Sequence, residues 1–124
     1  MKTHKDLIVW QKAMQLVTLL YKTTKSFPKD ELFGLVSQMR RASVSIPSNI
    51  AEGHGRCSDK ELVRFLFISL GSSSELETQL IISRNLSLMN ENDFNQLSSL
   101  NDEVRKMLIV LIRNKNNGDI NNNN

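Results

Sequence analysis

Four stretches in which apolar residues return every third or fourth position constrain this chain more than any other feature. That spacing places them on one side of an α-helix, whose residues advance by about 100° each. The first stretch runs from about Lys5 to Lys25, and Leu7, Trp10, Met14, Val17 and Tyr21 share one face. Ile8, Val9, Ala13, Leu16, Leu19 and Leu20 are apolar too, so the eleven positions together span an arc of roughly 260°. A peripheral helix of a monomeric bundle needs far less than that. This helix therefore buries a second face, and another copy of the chain is the simplest cover. Ile8, Val9, Leu16, Leu19 and Leu20 are the candidates for that contact.

The second stretch runs from Pro28 to Glu52, with Leu32, Leu35, Val36, Met39, Ala42, Ser43, Ile46 and Ile50 inward. Pro28 suits a first helical position, where its missing N–H is not needed. Pro47 lies inside the run, lacks the N–H for the carbonyl of Ser43 and predicts a kink. Gly53 reads as a left-handed cap after Glu52. The third helix opens on Ser58-Asp59-Lys60-Glu61, a capping box. Leu62, Leu66, Ser69, Ser73, Leu76, Leu80 and Ser83 follow as a heptad-like seam with a middle of small residues that includes Gly71. A glycine inside a helix is tolerated where another helix comes close. The helix ends near Leu86. Asn90, with Asp93 three residues on and Met89 and Phe94 as a hydrophobic staple, opens the fourth. That run reaches about Arg113, with Phe94, Leu97, Leu100, Val104, Met107, Leu108 and Leu111 inward.

Four amphipathic helices joined by short loops predict an all-α, antiparallel up-down-up-down four-helix bundle with a Pro-kinked second helix. The bundle domain covers residues 1–115. Residues 116–124 are an Asn-rich tail with too little apolar surface to fold, and disorder is expected there. Only 6% of the 124 residues are aromatic and 5 are glycine, which argues against a sandwich or barrel. No apolar run is long enough to span a bilayer, and the opening residues do not read as a secretion signal. One cysteine builds no disulfide framework, so a cytoplasmic protein without membrane association is expected.

The chain carries a formal charge of +3, unevenly spread. Met1 to Phe65 holds 11 basic and 6 acidic residues, a net of +5, whereas Leu66 to Asn124 holds 5 and 7, a net of −2. A basic half permits contact with a polyanion; ordinary surface charge is the other reading. Arg40 and Arg41 on the second helix, with Arg56, Lys60 and Arg64 at the start of the third, are the candidate phosphate-binding residues, provided one end of the bundle gathers them.

Reaction chemistry is absent from the residues. Between the second and third helices, Glu52-Gly53-His54-Gly55-Arg56-Cys57 lacks the pattern of a phosphate loop. His54 and Cys57 are two ligands at most, and His4 is remote in sequence, so no metal site is expected. Cys57 precedes a helix start and neighbours Arg56, a setting that favours a thiolate, yet no acid–base set accompanies it beyond His54. No Glu-x-x-His motif projects from the helices. No catalytic residue, cofactor site or metal site is assigned, and the chain is expected not to be an enzyme.

The stretch Gln38 to Arg56, QMRRASVSIPSNIAEGHGR, resembles the four-helix-bundle family encoded within intervening sequences of bacterial large-subunit ribosomal RNA genes. The likeness extends through Ser58-Asp59-Lys60-Glu61, Phe65, Gly71-Ser72 and Glu75-Leu76-Glu77. It also takes in Trp10, Ala13 and Phe27-Pro28…Glu31…Phe33-Gly34-Leu35, so it covers about Lys5 to Arg113. The resemblance implies a small protomer that assembles as a ring, typically a pentamer. The chain is also similar to the accessory protein of diversity-generating retroelements, which implies RNA or DNA, and a reverse transcriptase or other protein, as partners. Arg40, Arg41, Asn49, Glu52, Gly53, Gly55 and Arg56 are the residues that match by position. A protein–protein adaptor without a nucleic-acid role is the alternative, drawn from the wide apolar arc of the first helix.

Overall fold

The computed structural model describes residues 3–122, with side chains described as far as Asn117. The described residues form four α-helices and no strand: α1, Ile8–Thr24; α2, Ser37–His54; α3, Asp59–Asn85; α4, Glu91–Asn122. The tail expected to be disordered, 116–124, overlaps the end of α4 as far as Asn122, and its last two residues lie outside the described residues. Each helix packs on the one before it, and α1 closes against α4. Met39 meets Ser83 and Ser45 meets Ser72, so α2 and α3 run antiparallel.

Local chemistry sets the helix ends. A 3-10 turn, His4–Asp6, precedes α1, and Thr3 caps it. At α3 the Ser58 hydroxyl accepts from the amide of Glu61 at 3.1 Å, but the Glu61 carboxylate does not return to Ser58; it takes Arg64 instead, so half of the capping box forms. At α4, Asn90 Oδ1 accepts from the amide of Asp93 at 2.7 Å. At the end of α3, Ser87 adopts a left-handed φ of 58°, with Leu88 N donating to Ser83 O and Ser87 N to Arg84 O, both at 2.9 Å. This is a Schellman stop in which a serine occupies the position glycine usually fills. The stretch before α2 is irregular: a 3-10 turn, Lys29–Glu31, then a π turn, Leu32–Val36, with non-helical backbone at Gly34. α2 itself continues through the buried Pro47 to His54.

All seven residues of the predicted α3 seam are buried, so the small-residue middle faces the core. Ser69 Oγ donates to Ile46 O at 2.8 Å and joins α3 to α2. Ser73 Oγ donates to Asn101 Oδ1 at 2.8 Å, and Asn101 Nδ2 returns to Ser73 O at 3.0 Å, joining α3 to α4. Asn101 is 2% exposed; it stands on the core face of α4 with Leu97, Val104 and Leu108, while Leu100, Met107 and Leu111, expected inward, are only half-buried.

In α1 the structure reverses the expected faces. Val9, Ala13, Leu16, Leu20 and Thr24 are the buried set, and Leu16 and Leu20 are completely inaccessible. Val9, Leu16 and Leu20 therefore belong to the protomer's own core and are not free to meet a second copy. Ile8, 55% exposed, and the half-buried Leu19 remain at the surface. Met14 and Tyr21, expected on the inner face, are exposed. Ala13, the smallest apolar side chain of the arc, lies at the middle of the buried face. Leu32, also expected inward, is exposed as well.

The two glycines read from sequence also change roles. Among the described residues no glycine has positive φ, so Gly53 is not a left-handed cap; it lies within α2, which ends at Gly55 in right-handed geometry. A Cβ on Gly53 would stand 2.8 Å from Phe65 Cβ and 3.2 Å from Leu62 O, so the position exists to let α3 come close. Gly71 is exposed and a Cβ there would meet nothing within 4 Å, so close approach inside the protomer does not account for it.

Candidate nucleic-acid interface

The five candidate cations form two groups, not one. Arg40 and Arg41 lie near the start of α2, and Arg56, Lys60 and Arg64 beyond its end. A helix rising 1.5 Å per residue sets Arg41 and the Arg56 turn roughly 20 Å apart. The expectation of one cluster at one bundle end is corrected accordingly.

Arg56, Lys60 and Arg64 gather where α2 gives way to α3. Arg56 pairs with Glu52 one turn back, at 2.6 Å, and Arg64 with Glu61 at 2.9 Å. Both guanidinium groups lie over the ring of Phe65, at 5.0 and 4.5 Å from its centre. Phe65 is buried, so it orients the two arginines and offers no platform for a base. The hydrogen bond from Arg64 holds the Glu61 carboxyl below its usual range. Lys60 is exposed and makes no ion pair among the described residues.

Arg40 turns back onto α1: Nε donates to Thr24 Oγ1 at 3.1 Å and the guanidinium covers the Tyr21 ring at 4.5 Å. It locks α2 to α1 and directs its guanidinium to Thr24 and Tyr21. Arg41, one residue on and about 100° round the helix, is exposed and unpaired among the described residues. It lines a polar cleft with Gln38, Ala42, Ser45, Ser72 and Glu75.

The remaining motif residues have structural work. Asn49 Nδ2 donates to Ser45 O and Ser45 Oγ at 2.8 and 2.9 Å. Glu52 steadies Arg56, Gly53 admits α3, and Gly55 ends α2. His4 and His54, 50 positions apart in sequence, come within 6.5 Å, with His4 also edge-on to Trp10 at 5.1 Å. Among the described residues no three metal-ligating side chains converge. Cys57 is exposed and shares a shallow hollow with His54, Arg56, Asp59 and Lys115.

Three features escaped the sequence reading. In the sequence Phe65 stands out only in the family likeness, and the fold brings Arg56 beside it. Arg105 bridges α3 and α4 by pairing with Glu77 at 2.6 Å and with Asp102, whose carboxyl Lys106 and Arg105 hold below its usual range. The cleft beside Arg41 needs two helices to exist. For Arg105 a signal was present, since Asp102, Arg105 and Lys106 stand three and four residues apart on one helix.

No helix among the described residues is long and apolar enough to cross a membrane. No curated protein matches the chain. In fold it is similar to the solved structure of a protein of unknown function from the S23 ribosomal protein family of Bacteroides thetaiotaomicron VPI-5482. The TM-score is 0.77 and the identity 22%, over 85% of this chain and 98% of that one. The family described as 23S rRNA-intervening sequence protein matches residues 5–110, almost the whole bundle, and the chain belongs to that family.

Proposed function

We propose that this chain is a non-enzymatic, homo-oligomeric helical bundle that binds RNA or DNA through basic surface. The observation that carries the reading is the gathering of Arg56, Lys60 and Arg64 on one exposed turn, with the two arginines held in place by Phe65. Fixed cations lose less freedom when a phosphate arrives. Each site alone is modest, because Glu52 and Glu61 stand beside the arginines. A ring, a pentamer by family resemblance, repeats the site and multiplies its effect without new contacts. Exposed apolar side chains support assembly: Phe67, Ile68, Ile81 and Ile82 on α3, and Ile8, Met14 and Tyr21 on α1. A reverse transcriptase or another nucleic-acid enzyme is the kind of protein such an assembly would accompany.

Phosphate contacts release counterions, so affinity for a mixed-sequence RNA or DNA should fall steeply between about 50 and 200 mM salt. Lys60→Glu with Arg64→Glu should abolish binding and leave the helical circular dichroism intact. If neither polymer binds at low salt, the reading is wrong. Light scattering should give a multiple of the 14.2 kDa protomer; a monomer removes the assembly.

One observation favours a protein–protein adaptor as the second reading. An apolar groove of about 490 Å³ runs between the start of α1 and α4, lined among others by Ile8, Met107, Val110 and Leu111. A single dominant protein recovered with the full chain, unchanged by nuclease and lost in Val110→Asp, would favour it over the first.

A further inference from the structure

The cleft beside Arg41 has a volume of about 390 Å³ and lies across the α2–α3 seam. Its lining is polar: Gln38, Arg41 and Ser45 from α2 face Ser72 and Glu75 from α3, with Ala42 in the floor. Arg41 and Glu75 share this cleft without forming an ion pair, and no other carboxylate pairs with Arg41 among the described residues. Five donors of a guanidinium are therefore free for an oxyanion.

A count of protons adds another donor. Ser45 and Ser72 share one hydroxyl–hydroxyl bond of 2.8 Å, and Asn49 Nδ2 donates to Ser45 Oγ at 2.9 Å. Two hydroxyl groups carry two protons, and their bond uses one. Whichever way it runs, the other proton has no acceptor among the described residues. On α3, Gln79 Nε2 donates to Glu75 Oε1 at 3.2 Å and steadies that carboxylate, while Glu75 Oε2 has no partner among the described residues. By the register of the two antiparallel helices, Arg41 and Glu75 face each other across the seam, with the serine pair and its free hydroxyl proton one turn along; the cleft therefore sets a cation, a hydroxyl proton and a carboxylate acceptor side by side.

A bare phosphate meets Glu75 as a like charge, and a bare cation meets Arg41. The ligand that suits both groups carries an oxyanion and, close to it, a hydroxyl or N–H donor. Within the sugar-phosphate backbone of a polyanion, RNA has that pairing in its phosphate and adjacent 2′-hydroxyl, whereas the backbone of DNA has the phosphate and no donor; the base N–H groups are common to both polymers. We infer that the α2–α3 cleft is an RNA-selective subsite, in which Arg41 and the serine pair take a phosphate oxygen and Glu75 accepts the ribose 2′-hydroxyl. This rests on the nucleic-acid reading above and adds to it a choice between the two polymers, at a place distinct from the Arg56 turn.

The test uses fluorescence anisotropy on the full chain, with single strands of one mixed adenine–cytosine sequence made as RNA and as DNA, which then differ only at the 2′ position. The expected preference for RNA is about tenfold, the size of one hydrogen bond to a charged group. Glu75→Ala removes a negative charge, so its general electrostatic effect strengthens both complexes alike; the subsite requires instead that the RNA-to-DNA ratio fall to near one. Arg41→Ala should weaken both complexes by a similar factor and leave the ratio in place. Equal binding of the two polymers by the unaltered protein, or a preference that survives Glu75→Ala, overturns the subsite while the Arg56 turn still binds. Loss of all binding to both polymers overturns the subsite and the functional reading together.

Discussion

The two faces of α3 are made of the same kinds of residue and do opposite things. Inward lie Leu62, Leu66, Ser69, Ser73, Leu76, Leu80 and Ser83, all buried. Outward lie Phe67, Ile68, Gly71, Ser74, Thr78, Ile81 and Ile82, all exposed. Each face mixes large apolar side chains with serine, threonine or glycine, so hydrophobicity alone barely separates them. Volume and hydrogen bonding do. The inner serines have partners on α2 and α4, and Gly53 opposite lets the backbones approach. The outer face has the composition of an interface and nothing of this protomer to meet.

Charging the outer face is the sharpest way to separate the two. Phe67 is 53% exposed, so Phe67→Asp should leave the fold of one protomer within about 0.5 kcal/mol of its starting stability, as surface substitutions do. If α3 meets a neighbouring copy, the same change should dissociate the assembly, which light scattering reads directly. An assembly of unchanged mass would move the contact to the α1 side, where Ile8→Asp is the next variant to measure.

A methyl group on the inner face should act in the opposite sense. Gly53→Ala places Cβ within 2.8 Å of Phe65 Cβ and 3.2 Å of a backbone oxygen, and neither is the movable end of a side chain. Overpacking of this type costs about 1–3 kcal/mol, and the upper part of that range is expected in a urea titration. A smaller loss, of about 1–2 kcal/mol, is expected for Ser73→Ala, because Asn101 Oδ1 is left buried without its donor. Ser74→Ala, next in sequence but outside, should change almost nothing. Equal effects for the two serines would mean that the Ser73–Asn101 pair does not hold α3 to α4.

How much of this was legible depended on whether a helix had one apolar face or several. In most of α2 the inner positions could be read because polar residues bounded the stripe, and in α3 because the heptad-like spacing picked out one seam although apolar residues also lie outside it. In α1 they could not. An arc that is apolar most of the way round has no preferred direction, and the buried face proves to centre on the small Ala13, not on the large Trp10 or Tyr21. Asn101 was passed over because a polar residue in a periodic run reads as outward; the donor and acceptor of Ser73, brought from another helix, allow it inside. The same limit applies to the candidate site. The cations themselves could be named. Their division by the length of α2, the diversion of Arg40 to Tyr21 and Thr24, and the cleft shared with Ser72 and Glu75 all depend on packing between helices.

Gly71 gives the smallest effect and the finest discrimination. In one protomer a Cβ at this position touches nothing, and alanine is favoured over glycine in a helix interior by about 0.8–1.0 kcal/mol. Gly71→Ala should therefore raise the stability of dissociated chains, measured in the Phe67→Asp background, by close to that amount. In the assembled protein the outcome depends on what covers the outer face of α3. With Phe67 and Ile68 one turn before it on the same face, a glycine would let a neighbouring helix approach as Gly53 lets α3 approach α2, and the added methyl would then cost stability. A gain in the dissociated form and a loss in the assembled one would show that both faces of α3 work by the same rule, one within the protomer and one between protomers. A gain of equal size in both forms would leave the outer face uncovered and its glycine without a packing role.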